Sequence, residues 1–138
     1  MSSAAAFEIR RVHGRLVLSR PRIMRTVDDV TALGAAMKDT ARSISGPLVI
    51  CGDYRVTTVL SQSTADAFIA MFSVFNPRIQ RSAVLLSSQH ATFNLQVERL
   101  VREARNPARR TFRAVPDMLA WLGEVLTPEE SAALDRAL

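Results

Sequence analysis

Short apolar runs alternate with longer amphipathic stretches along the chain, and the apolar spacing switches between two residues and three or four. In "FEIRRVHGRLVLSR", Phe7, Ile9 and Val12 precede the pair His13-Gly14, and Leu16, Val17 and Leu18 follow it. The pattern predicts two strands joined by a short hairpin with Gly in the turn, the second halted by Pro21. Helical spacing takes over in "TVDDVTALGAAMKDTARSI", where Val30, Leu33, Met37, Ala41 and Ile44 share one face. Thr26 or Asp28 is its N-cap, acids occupy its first turn, and Ser45-Gly46-Pro47 ends it.

The continuous run "PLVICGD" suits a central strand covered on both faces. After it, Ser61 or Ser63 caps a helix running to Phe75 and stopping at Asn76-Pro77. Ser82 to Ser88 is a second buried-strand run. "HATFNLQVERLVREAR" is an amphipathic helix with Phe93, Val97, Leu100, Val101 and Ala104 inward. "RRTFRA" is a short strand turning Phe112 inward, "VPDMLAWLGEVL" a helix with Pro116 and Asp117 in its first turn. "TPEESAALDRAL" is a last helix with a capping box from Thr127 to Glu130. The order is strand, strand, helix, then strand-helix three times with an extra helix. It predicts a single α/β domain over residues 7–138, with a mixed, mostly parallel sheet of about five strands and an antiparallel first strand near an edge. Residues 1–6 read as a loose lead-in.

At 138 residues, 48% of them hydrophobic and 22% charged, the chain suits one folded core. No apolar run approaches the roughly 18 residues that span a bilayer, and the N-terminus lacks a secretory pattern. Cys51 is the sole cysteine and lies in an apolar run, which argues for an inert buried thiol and a reducing, cytoplasmic setting. The net charge of +5 is uneven: +5 over residues 1–25, −2 over 26–75, +6 over 76–115 and −4 over 116–138. Seventeen of the basic residues are Arg and one is Lys38, a skew that genome base composition produces as readily as selection for guanidinium chemistry.

Three segments carry a resemblance to the STAS family, the bacterial anti-sigma-factor antagonists and their SpoIIAA-like relatives. "PLVICGDYRVTTVLSQSTADAFIAMF" resembles the family's central strand, loop and helix, which begins at an Asp-Ser-Ser-Gly turn. "SAVLLSSQHATFNLQVERL" is similar to the next strand-helix unit, and "RTFRAVPDMLAWL" to the closing one. The resemblance implies a partner-binding turn whose serine receives phosphate in some members, the added charge then blocking the partner. In this register Ser61 takes the aspartate position, Gln62 the acceptor serine, Ser63 the next serine and Thr64 the glycine. The acceptor is missing, and Ser61 or Ser63 serves only after a one-residue shift.

The residues themselves carry little catalytic chemistry. His13 and His90 stand beside no recognisable acid, no G-x-S-x-G occurs, and two distant His with one Cys have no metal-ligand spacing. Neither a Walker run nor G-x-G-x-x-G appears among five scattered Gly. Asp53, just after the central strand, is placed either to hold a ligand at the sheet's carboxyl edge or to satisfy loop amides. "RNPARRTFR" gathers Arg105, Arg109, Arg110 and Arg113 into a candidate basic patch, open to nucleic acid or an acidic protein, although Phe112 is the only interleaved aromatic. On the long helix, Phe68, Ile69 and Phe72 share one face while Ala67, Met71 and Val74 form a second apolar stripe. That stripe meets a neighbouring helix of the same chain, a second copy or a partner.

The sequence therefore predicts a non-enzymatic regulatory or protein-interaction module of STAS-like type, without cofactor or metal. It would dock a protein partner through Ser61, Gln62, Ser63, Thr64 and Asp53, with a homodimer as a further expectation from Ala67, Met71 and Val74. The alternatives are a small-ligand or lipid binder, which an apolar pocket under the long helix would favour, and a basic nucleic-acid-binding domain.

Overall fold

Two short strands open the fold of the computed structural model, which describes residues 6–138. β1 (Phe7–His13) and β2 (Leu16–Pro21) form the expected antiparallel hairpin, with Gly14 in the left-handed region at φ 57°. A side chain at Gly14 would also run into the Glu130 carboxylate. Ala6 is already anchored, its carbonyl accepting from the Arg22 and Ile23 amides; the rest of the N-terminal lead-in lies outside the described residues.

The sheet order is β1-β2-β3-β4-β5, with β3 (Leu48–Asp53) at its centre, then β4 (Ile79–Leu85) and β5 (Arg109–Phe112). Every pairing after the hairpin is parallel, as helical crossovers on the sheet faces require. β1 is the antiparallel edge strand. β4 starts three residues before the apolar run alone suggests, because Ile79 already pairs with Leu48. Leu16, Val17 and Leu18 are all fully buried, so β2 is an interior strand covered on both faces and its pattern is continuous.

The helices divide between those faces. Leu16, Leu18, Val49, Cys51, Ala83 and Leu85 pack beneath α4 (Val115–Gly123) and α5 (Pro128–Ala137). The opposite face, with Val17, Ile50 and Val84, meets α1 (Val27–Arg42), α2 (Gln62–Phe75) and α3 (Ala91–Glu103). Thr26 caps α1 through a capping box with Asp29, and Val30, Leu33, Met37 and Ala41 are buried as their spacing predicts. A short 3-10 turn, Asn76–Arg78, follows α2 at the Asn-Pro stop. Thr127 and Glu130 form the expected capping box on α5. Glu130 is itself buried and also accepts from the Arg15 amide at 2.9 Å, tying the last helix to the hairpin.

Candidate functional site

The turn into α2 splits into a buried half and an exposed half. Ser61 is the N-cap: its hydroxyl accepts from the Thr64 amide at 3.3 Å and donates to Thr64 Oγ1 at 2.8 Å. Thr64, expected at the docking surface, is fully buried and donates to the Arg25 carbonyl at 3.4 Å. It is a packing residue that ties α2 to the chain before α1. Ser61, Gln62 and Ser63 remain exposed. Gln62 donates along the helix to Asp66 at 2.9 Å, and Ser63 lies 3.3 Å from the Ser61 hydroxyl.

The loop leading to this turn is held at both ends. Thr57 donates to the Pro21 carbonyl at 2.5 Å. The Leu60 amide donates to Gln96 Oε1 at 2.9 Å, while Gln96 Nε2 returns a bond to the Leu60 carbonyl at 2.8 Å. Val56, just before the first clamp, and Val59, between the two, stand 61% and 57% exposed, and Leu95, next to Gln96 on α3, is 67% exposed. An open cleft of about 380 Å³ runs between Thr58, Val59 and the start of α3 at His90 and Thr92. His90 occupies the N-cap position of α3 with no side-chain cap bond.

Asp53 is committed to internal ion pairs. Arg20 Nε reaches Asp53 Oδ2 at 3.1 Å, and Arg55 meets both oxygens at 2.9 Å. Arg20 also pairs with Glu8 at 3.0 Å and donates to the Ala137 carbonyl. Burial alone would raise the Asp53 pKa, but the hydrogen bonds from Arg55 and Arg20 outweigh it and hold the carboxyl below its ordinary value. Cys51 lies inside, its thiol pushed up to about 12 by burial and its sulfur 3.7 Å from Met118 Sδ. Among the described residues no group of three or more His, Cys, Asp or Glu is arranged to hold a metal ion.

The basic patch does not form one surface. Arg109 is only 5% exposed: it lies under α2 with its guanidinium 4.4 Å from the Phe72 ring. Its position on β5, paired with Ser82, turns the side chain toward α2. Arg110 goes to the other sheet face, over Trp121 at 4.9 Å, as alternation along a strand demands. Arg113 pairs with Glu98 at 2.7 Å, and exposed Arg105 takes a left-handed turn at φ 53° after α3. Arg109 and Arg110 thus leave by opposite sheet faces and Arg113 is engaged by Glu98, which removes the strongest argument for a nucleic-acid stripe.

Ala67, Met71 and Val74 line an apolar groove of about 510 Å³ between α1 and α2, where Val27, Val30 and Gly34 form the facing wall. The stripe meets a neighbouring helix of the same chain along part of its width, and Val74 stays 58% exposed. Behind Met71 and Phe75 sits a smaller cavity of about 30 Å³ bounded by Ser19, Gly52, Tyr54, Ser82 and Arg109. Ser19 and Ser82 are polar residues inside otherwise apolar strands, which is the signal the sequence offers for this cavity; Tyr54 follows β3 and carries no such mark.

No protein-family model and no curated protein matches the sequence. The arrangement of strands and helices does match a solved structure, an uncharacterized protein of the DUF3478 family with a SpoIIAA-like fold from Shewanella loihica PV-4. The match has a TM-score of 0.61 at 19% identity and covers 88% of this chain and 98% of that one. The fold is SpoIIAA-like. At that identity the likeness speaks for architecture alone. No helix among the described residues is long and apolar enough to cross a membrane.

Proposed function

We propose that the protein is a non-enzymatic interaction module of STAS-like type that docks a protein partner against the loop and turn preceding α2. What supports the reading is one observation: Val56 and Val59 are exposed on a loop immobilised by Thr57 and by the paired Leu60–Gln96 bonds. Apolar side chains held in water on a rigid loop have already lost the conformational freedom that association would otherwise take away. Ser61 to Ser63 and Leu95 extend the same surface with adaptable polar and apolar contacts. Docking there makes and breaks no covalent bond. The reading includes no phosphorylation step, because Gln62 occupies the acceptor position and the Ser61 hydroxyl is engaged in the cap.

Cross-linking followed by affinity capture tests it, with the wild type, a Val59→Asp/Ser63→Asp variant and a Val74→Glu variant on the distant groove as baits. One defined protein, recovered with wild type and Val74→Glu and reduced at least about tenfold with the double variant, is the expected result. Equal recovery by all three baits would end the reading.

A further inference from the structure

We propose that the recess beneath α2 is a binding site for a monocarboxylate with an apolar tail, its carboxylate meeting Arg109 and its tail lying in the groove between α1 and α2. Arg109 carries the case. The guanidinium donates to Asn76 Oδ1 at 2.8 Å and to the Phe72 carbonyl at 3.3 Å, both neutral acceptors, while Nε is buried with no partner. Arg20 and Arg55 share the buried Asp53 carboxylate, whereas among the described residues Arg109, itself buried, has no carboxylate within 4.0 Å. A buried cation with neutral partners alone retains most of its desolvation cost. Burial accordingly lowers the Arg109 pKa to about 10. A carboxylate supplies the missing charge and matches the planar donor fork.

The surroundings fit such a group. Ser19 and Ser82 put small side chains, and Gly52 none, on the sheet face below α2, leaving the cavity of about 30 Å³ that Arg109 and Tyr54 bound. Burial pushes the Tyr54 pKa up, so the phenol stays protonated and is able to donate. Met71 and Phe75 line both this cavity and the groove of about 510 Å³, a volume within the roughly 300–1,000 Å³ usual for small-molecule sites. Among the described residues Lys38 is the one charged side chain on the groove wall, and its sign suits an anion. The thioether of Met71 is a flexible partition between the two spaces, so a head group reaches Arg109 when that side chain turns aside. The groove and the docking loop use different residues, and either can fail without the other.

Calorimetric titration with decanoate and with decanol at neutral pH separates charge recognition from apolar filling. Wild type is expected to bind decanoate at least about tenfold more tightly than decanol, the scale of one charge-assisted hydrogen bond. Arg109→Met should abolish that preference while leaving decanol binding in place. Val74→Glu, at an exposed position on the groove, tests the same route without touching the core and should weaken decanoate about tenfold through like-charge repulsion. The proposal is overturned by equal binding of the two probes, by absence of decanoate binding, or by a decanoate preference that survives in Arg109→Met. Where Arg109→Met does not fold, undiminished decanoate binding by Val74→Glu overturns it as well.

Discussion

A methyl group at Gly52 would stand 2.7 Å from Tyr54 Cε1 and 3.3 Å from the Ala83 carbonyl oxygen, so the glycine is what lets the tyrosine ring fold back against the sheet. Tyr54 then packs 6.1 Å from the Phe68 ring, centroid to centroid, and becomes part of the core. Gly52→Ala is expected to destabilise the protein by about 1–3 kcal/mol, the usual cost of overpacking. Urea unfolding gives the loss, and near-UV circular dichroism of this sole tyrosine reports whether its packing has changed. Arg109 shows the limit of reading single residues. Its neighbours in sequence are cations, and composition therefore placed it on a surface. Its strand parity placed it under α2 instead, where the aromatic face of Phe72 receives it. Parity was legible, but which sheet face α2 would cover was not.

Helix ends were the most legible features at the scale of elements, since caps are local chemistry. Thr26, Ser61 and Thr127 all cap the helices their positions suggest, two of them in full capping boxes. Ser61→Ala is expected to cost about 1 kcal/mol in a denaturant melt, whereas Ser61→Asp should be nearly neutral because aspartate caps as well as serine. That contrast distinguishes loss of the cap from the arrival of charge. Thr64 was less legible. Helical spacing places it one turn ahead of Phe68, but only the approach of the segment before α1 gives its hydroxyl an acceptor at Arg25. The groove between α1 and α2 has the same origin: the apolar stripe of Ala67, Met71 and Val74 was visible, and its half-covered state depends on where α1 comes to rest.

Ion pairs join distant parts of the molecule, and their effect is global. Arg20 binds Asp53 and Glu8 and reaches the end of α5 at Ala137, while Glu130 bonds the hairpin at Arg15. The Arg20 hydrogen bond lowers the Glu8 pKa, and for Glu130 the Thr127 and Arg15 amides outweigh the opposing effect of burial. Asp53, Glu8 and Glu130 therefore all have folded values below their ordinary ones, 3.8 for Asp and 4.5 for Glu. A carboxylate depressed in the folded state contributes stability that is complete above its unfolded value and is lost as pH falls through its folded value. Unfolding free energy should thus be nearly flat from neutrality to about pH 5 and fall in more acid solution. Urea melts across that range check it, and Asp53→Asn should start lower at neutral pH and show a shallower acid decline.

The sequence by itself determined the element order, the helix caps, the hairpin at Gly14 and the buried strand of Cys51, because spacing, caps and turn residues act within a few positions of one another. Three of its segments also carried a resemblance to the SpoIIAA-like fold that the structure has. Tertiary structure alone decided that Arg109 is a core cation, that Asp53 is spent on Arg20 and Arg55, and that Thr64 is buried. It alone opened the cavity beside Tyr54 and the groove above Met71. Each of these depends on contacts between residues far apart in the chain, and local periodicity specifies which face a side chain occupies without naming what that face will meet.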